Sequence, residues 1–161
     1  MRYSKSLLLH QDDAPYGSFL KLVFILVPIG LLTSGAYLWT TGETEGGIAL
    51  LLEATIIGAI LWSVFPRKYQ VYEDHLRIVL GGPFSIRIGF ERISAVRVTS
   101  KTAALTMNFA SRFARTYVII VRKGGLSIAI TPKSNEQFAE NANRAINEWV
   151  RQRAPGGKHR E

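Results

Sequence analysis

Two long apolar runs in the first 65 residues constrain this chain more than any other feature. Leu22 to Trp39 contains 18 residues without a charge, and Ile48 to Phe65 contains another 18 that only Glu53 interrupts. At a rise of about 1.5 Å per residue, a helix of this length crosses the ~30 Å hydrocarbon core of a bilayer. The linker Thr40–Gly47 is short and acidic. We therefore expect a hairpin of two transmembrane helices.

The composition inside these runs fits a membrane better than a soluble core. Pro28, Gly30 and Gly35 would weaken a soluble helix, but membrane helices tolerate Pro and Gly. A cleaved signal peptide is the alternative interpretation of the first run. About twenty residues precede that run, and it lacks a small-residue cleavage site followed by a soluble chain, so we expect it to be retained.

Charge is distributed unevenly along the chain, whose formal net charge is +8. Residues 1–65 hold three basic and five acidic residues, whereas residues 66–161 hold 17 basic and seven acidic residues, a balance of +10. Lys and Arg flank the outer ends of both runs and are absent from the linker. The positive-inside rule therefore predicts a multi-pass protein of the cytoplasmic (inner) membrane with both termini in the cytoplasm.

The apolar period changes from helical to two-residue alternation after Pro66, which indicates strands. The predicted strands are Leu76–Leu80, Ile86–Phe90, Ile93–Thr99, Tyr117–Val121 and Leu126–Thr131. A helix is predicted after Ser134, because apolar residues recur there at spacings of three and four. The predicted organisation is a cytoplasmic N-terminal segment (1–18), a hairpin (19–65, with helices at about 19–39 and 48–65), a domain (66–152) and a flexible tail (153–161).

This second half resembles the bacterial pleckstrin-homology-like domains that often follow paired membrane helices. The similarity covers about residues 67–150. Its landmarks are Tyr72, the strand around Leu76, the segment IGFERISAV at 88–96, the ITP before the last helix, and Phe138 within it. The resemblance implies an α+β membrane protein in which the hairpin precedes an antiparallel β-barrel or sandwich capped by a C-terminal amphipathic helix. These landmarks mark the fold and name no ligand.

Glu53 is the most unusual residue, because an ionisable group in a membrane span costs ~2.5–3.5 kcal/mol at mid-bilayer on insertion scales. Thr33, Ser34 and Tyr37 lie at a similar predicted depth on the first helix. The expected intramembrane contact is therefore a hydrogen bond between Glu53 and one of these hydroxyls, such as that of Ser34, unless the Glu53 side chain extends to the interface instead. Contact with a partner subunit is the alternative. An ion path would need further buried polar residues, which two helices do not supply. Gly35 and Gly58 offer small surfaces at which helices can approach closely.

Several basic residues are candidates for contact with lipid or with a protein partner. They are Arg67, Lys68, Arg77, Arg87, Arg112 and Arg115. One interpretation is a solvated surface that follows the cytoplasmic positive bias. The other is attraction to anionic headgroups, worth ~1 kcal/mol per basic residue near the surface. The resemblance places Lys68, Arg77 and Arg87 roughly where eukaryotic relatives bind phosphoinositides, a ligand that bacterial members are not generally expected to share.

The irregular segment Thr99–Arg115 contains Met107 and Phe109, which predict either an extra strand or a docking loop. If exposed, these two side chains form a natural protein contact.

Catalytic chemistry finds little support in this sequence. The chain has no cysteine, and its three histidines lie in distant segments, so no metal site or catalytic triad is predicted. We expect no cofactor and no nucleic-acid partner. The predicted function is a non-catalytic scaffold or accessory subunit that binds another membrane protein or a second copy of itself, in contact with membrane lipids. The alternative is a module that binds anionic lipid of the cytoplasmic leaflet.

Overall fold

A computed structural model describes residues 6–100, 106–111 and 114–153. It divides the chain into two compact units. Tyr16–Phe65 forms a helical unit, and Met1–Pro15 together with Pro66–Glu161 forms the second unit, called the domain below. The helical unit is therefore inserted into the sequence of the domain.

The helical unit consists of α1 (Ser18–Thr40) and α2 (Thr44–Val64), both long and apolar enough to cross a membrane. Few of their residues are buried, unlike those of a core helix in a soluble protein. Helix α2 begins four residues before its predicted start at Ile48. The turn is correspondingly short, and Gly42 within it adopts a positive φ of +89° that disfavours other residues.

The two helices approach most closely at a pair of glycines. A Cβ atom added to Gly47 would lie 3.0 Å from the carbonyl oxygen of Gly35, and one added to Gly35 would lie 3.2 Å from the carbonyl oxygen of Gly47. Ala54 is buried one heptad beyond Gly47 on the same face of α2. Gly58, which the sequence also offered as a contact, has open space around it.

The described strands of the domain form two four-stranded sheets. The first has the order β1-β2-β3-β4, with all pairs antiparallel. The second has the order β5-β7-β8-β6, in which β6 pairs parallel to β8. The bounds are β1 Leu8–Asp13, β2 Lys68–Tyr72, β3 His75–Val79, β4 Ser85–Gly89, β5 Ile93–Thr99, β6 Thr106–Phe109, β7 Tyr117–Arg122 and β8 Ser127–Ile130. Glycines with positive φ, Gly124 and Gly125, turn the chain between β7 and β8 as predicted.

Strand β1 differs from the sequence prediction, which treated residues 1–18 as a separate segment. It pairs antiparallel with β2 along most of its length, with an irregularity between Leu8 and His10. The amide of Ala14 continues the pairing by donating to the carbonyl of Arg67 at 2.9 Å. The domain therefore begins before the helical unit and resumes after it.

Helix α3 (Asn135–Arg153) packs its apolar stripe on the core formed by both sheets. Phe138, Ala142 and Ala145 are buried, as the predicted spacing requires. At its start, the amide of Ser134 donates to the carboxylate of Asp12 in β1 at 2.9 Å. A carboxylate at the amino end of a helix interacts favourably with its unpaired amides and its dipole. This contact ties the N-terminal strand to the last helix.

Candidate membrane and partner surfaces

The strand register puts both connections to the helical unit at one end of the first sheet. Asp13 pairs with Lys68, Lys68 with Val79, and Val79 with Ser85. We call this end of the first sheet, which is marked by Asp13, Lys68, Val79 and Ser85, the hairpin end of the domain. The amide of Arg67 extends it by donating to the carbonyl of Val79 at 2.7 Å. Arg67 and Lys68, two predicted contact residues, are both exposed there.

The second sheet adds cationic residues to the same end. The hydroxyl of Ser111 donates to the carbonyl of Pro15 at 2.8 Å, which places the segment after β6 beside the first connection. The side-chain amide of Asn135 donates to the carbonyl of Thr116 at 2.8 Å, so Arg115 lies near the start of α3. Arg115 is exposed. Arg112, the other predicted residue of this segment, lies outside the described residues.

Arg77 and Arg87 lie elsewhere, in the middle of the first sheet. They are direct cross-strand partners, and the row continues through Gln70 and Gln11. Arg87 is exposed and Arg77 is half-buried. Like charges directly opposite each other repel, so this row favours an anionic neighbour.

The predicted intramembrane residues, Glu53 and Ser34, are both exposed on their helices. Among the hydrogen bonds of the described residues, none joins them. Glu53 precedes the buried Ala54 on α2, and Ser34 precedes the buried Gly35 on α1. Since successive residues of a helix are about 100° apart, each of the two side chains points away from the buried face. Both side chains are thus on the outer surface of the helical unit and accessible to a second molecule.

Met107 and Phe109 lie on β6, one of the two edge strands of the second sheet among the described residues. Phe109 is half-buried against the core, and its carbonyl accepts a hydrogen bond from the hydroxyl of Tyr69 at 2.8 Å. Met107 is 40% exposed. Within this segment, Thr106–Phe109 therefore forms the extra strand of the two predicted alternatives, with Met107 available for contact and Phe109 contributing to packing.

One polar cluster lies at the opposite end of the first sheet. The Nδ1 atom of buried His75 is 2.6 Å from the Oδ1 atom of Asp74, and its ring stacks on Tyr72 at 4.5 Å. Partial burial would raise the pKa of Asp74, but the hydrogen bond and charge of His75, helped by Ser6, hold that pKa below its ordinary value. No group of three His, Asp or Glu side chains in the described ranges could hold a metal ion. The cluster stabilises a strand entrance.

The glycine pair Gly81-Gly82 predicts a hairpin turn between β3 and β4, and the structure has one there, but sequence reasoning missed the exposed aromatic residue that follows it. The amide of Leu80 donates to the carbonyl of Phe84 at 3.0 Å, and Gly82 adopts a positive φ of +63°. The side chain of Phe84 is 56% exposed. Its sequence context, Gly81-Gly82-Pro83, indicated a strand end and a hairpin turn but gave no signal that the next side chain is exposed.

Two sheets closed at one end by an amphipathic helix define a pleckstrin-homology-like sandwich. Consistent with this, residues 67–143 match the family model of the bacterial PH domain. The chain therefore contains a bacterial PH domain, preceded by two helices long and apolar enough to span a membrane. PH domains are generally non-catalytic binding modules. Comparison with curated proteins finds no match, and comparison with solved structures finds none.

Proposed function

We propose that this chain is a membrane-anchored, non-catalytic PH-domain scaffold or accessory subunit. The helical unit spans the cytoplasmic membrane as a hairpin, and the domain recruits another membrane protein or a second copy of the chain in the cytoplasm. The observation that carries the proposal is that β1, which precedes the helical unit in the sequence, pairs with β2, which follows it. Strands that pair must lie on one side of a membrane, so the two ends of the hairpin are expected on the same side.

The same pairing argues against removal of α1 as a signal sequence. Cleavage after α1 would also remove β1, which completes one edge of the first sheet and whose Asp12 bonds to the start of α3. Retention of α1 leaves both connections intact. The four residues between β1 and α1 and the three between α2 and β2 then tether the domain twice.

Cysteine labelling tests the orientation, because the chain has no cysteine of its own. Glu43→Cys places a thiol in the turn between the helices, and Gln137→Cys places one on the exposed face of α3. A membrane-impermeant maleimide should label position 43 in intact spheroplasts and position 137 only after the membrane is opened. Labelling of both positions in intact spheroplasts would refute the hairpin orientation.

Two outer-surface features support a protein partner. Glu53 lies exposed on an apolar helix, where contact with a partner's polar group would offset the cost of placing an ionisable side chain in the membrane. Met107 lies exposed on an edge strand, and interfaces are enriched in Met. A partner that covers both α2 and β6 would itself contain a membrane segment and a cytoplasmic part, and a second copy of this chain has both.

Native sizing with mass spectrometry after purification in mild detergent tests the partner. We expect a complex larger than one chain. Glu53→Leu should decrease the fraction of the chain in this complex, because it removes the proposed polar contact. Ile56→Leu, at another exposed position on the same helix, is the matched control. A lone monomer in several detergents and in nanodiscs would refute recruitment and self-association together.

Binding of anionic lipid is the second candidate function, favoured by the Arg77–Arg87 row. A fragment starting at residue 67 would lack β1, so a test needs a domain in which a short turn joins Pro15 to Pro66 in place of the helices. The hydrogen bond between Ala14 and Arg67 makes this closure short. Cooperative unfolding of this variant must be shown first.

Vesicles of phosphatidylglycerol should then bind the closed domain at low salt and release it at high salt, because screening weakens charge attraction. Replacing Arg77 and Arg87 by Gln should weaken binding more than replacing Arg92 and Arg97, which removes the same charge from another part of the domain. If the two double variants lost the same amount of vesicle binding, the binding would depend on net charge and not on the Arg77–Arg87 row. No binding at low salt would end the lipid hypothesis.

A further inference from the structure

The exposed aromatic ring of Phe84 lies at a particular place in the fold. The turn that carries it, Gly81–Phe84, joins Val79 to Ser85, and these two residues belong to the hairpin end of the domain. The chain leaves for α1 and returns from α2 at that same end, through Ala14 and Arg67. The described end of the domain that is tethered to the apolar helices therefore also carries an unburied aromatic side chain.

The turn presents this ring on a fixed backbone. The hydrogen bond from Leu80 to Phe84 closes the turn, Pro83 restricts its own φ, and Gly81 is buried beneath it. Leu80 packs on the core directly before the turn. A backbone held in this way loses little conformational freedom when the ring meets a surface, which favours contact.

Charges around the ring fit a bilayer surface. Arg67, Lys68 and Arg115 are exposed at the hairpin end, together with Lys133 just before α3. The acidic residues there are Asp12, which is engaged with Ser134, the exposed Asp13, and the exposed Glu136 in the first turn of α3. An exposed aromatic ring at an end of the domain where exposed basic side chains outnumber acidic ones is typical of segments that sit at the boundary between headgroups and acyl chains.

We propose that the β3–β4 turn is a second membrane contact, in which Phe84 inserts into the headgroup region of the leaflet next to the two connections. The inference rests on the proposed insertion of α1 and α2. It goes beyond that proposal because it fixes which end of the domain meets lipid and limits the domain's tilt. The contact is apolar at its centre, so it forms on zwitterionic lipid and is strengthened by anionic lipid.

The absence of native cysteine allows a matched pair of probe sites. Ser85→Cys follows Phe84 at the start of β4, and Ser127→Cys follows the exposed Leu126 at the start of β8. Both serines are half-buried, and Ser127 lies at the far end of the second sheet from Ser111 and Pro15. Ile56→Cys on the outer surface of α2 reports membrane insertion.

Each full-length variant is labelled with an environment-sensitive fluorophore and reconstituted in nanodiscs of phosphatidylcholine, with and without brominated acyl chains. We expect blue-shifted emission and quenching by bromine at position 85, and neither at position 127. Adding Phe84→Ser should abolish the quenching at 85, whereas Leu126→Ser should leave the signal at 127 unchanged. Phosphatidylglycerol should increase the quenching at 85.

The outcomes separate the two proposals. Quenching at 56 without quenching at 85 would overturn the Phe84 contact while leaving the membrane anchor intact. Failure to quench at 56 would refute the anchor itself. A blue shift at 85 without quenching by brominated lipid would assign the ring to a protein contact and would also overturn the inference.

Discussion

The two units of this chain solve the problem of apolar residues in opposite ways. The domain turns them inward, so that Tyr69, Phe90 and Phe138 are almost fully buried between the sheets and α3. The helical unit turns them outward, and its described helices bury little beyond Gly35, Gly47 and Ala54. In water the first arrangement is stabilised by the hydrophobic effect, whereas in lipid that effect does not drive helices together.

This difference indicates where each unit is vulnerable. Large-to-small substitutions should damage the domain, since they leave cavities in a packed core. The helical unit should tolerate them on its outer surface and should instead be damaged by small-to-large substitutions at its glycine contact. Stability and function are then separable along the chain, because the candidate contact residues lie on surfaces that neither type of substitution disturbs.

The largest expected effect is the loss of a core aromatic. Phe138→Ala removes a ring that is 1% exposed and touches both Tyr69 and His10, and should cost about 3–5 kcal/mol of domain stability. Ile56→Ala also removes a large side chain, but one that is 58% exposed on α2. Urea unfolding followed by pulse proteolysis in detergent micelles should show a large shift for the first variant only. A similar shift for Ile56→Ala would contradict the contrast between the units.

A smaller effect is expected at the glycine contact. Gly47→Leu forces the helices apart, because even a Cβ atom there would lie 3.0 Å from a backbone oxygen, and overpacking of this kind costs about 1–3 kcal/mol. Spin labels on Ile25→Cys and Ile60→Cys should report a longer and broader distance between α1 and α2. Gly58→Leu, where open space surrounds the glycine, is the matched control. An unchanged distance in Gly47→Leu would show that the contact does not hold the hairpin.

The link between β1 and α3 should contribute less again. Asp12→Ala removes the carboxylate that accepts from the amide of Ser134, a capping interaction worth about 0.5–2 kcal/mol. Hydrogen exchange should accelerate in the first turn of α3 and in β1. Asp13→Ala changes the neighbouring exposed carboxylate and should leave both regions protected. Equal acceleration in the two variants would mean that general charge, rather than this bond, stabilises the helix start.

The sequence predicted the parts of the fold in which polarity follows a regular period. The helices were predicted from two uncharged runs, and α3 was predicted from its apolar stripe. Strand β1 escaped because its half-buried positions hold polar residues: His10 packs near the ring of Phe138 and Asp12 bonds to Ser134, while Leu8 and Leu9 are exposed. A strand is recognised from alternation in which the apolar residues are the buried ones, and in β1 the polar residues are the more buried ones. No local signal therefore marks this strand.

The candidate surfaces show a similar division. Arg67 and Lys68 were predicted from their position beside an apolar run, and they do lie at the hairpin end. Arg77 and Arg87 were predicted from alternation, but their direct cross-strand pairing depends on register, which one strand alone does not reveal. Phe84 was missed because exposure of a turn residue depends on what packs against the turn. Distant parts of the chain decide that.

The smallest expected effect concerns pH and lies at the end of the domain opposite the connections. The pKa of Asp74 is held below its ordinary value, so its interaction with His75 stabilises the folded state at pH values above that ordinary value. The stabilisation is lost as pH falls through the lowered pKa. The carboxylate is more than half exposed, so screening keeps the effect below about 1 kcal/mol. Asp74→Asn should lower the unfolding temperature slightly at pH 6 and make no difference once pH is well below 3.8. The control is Glu91→Gln, which removes an exposed carboxylate outside the cluster and should leave the pH profile of unfolding unchanged. If Asp74→Asn also left that profile unchanged, the cluster would add no stability.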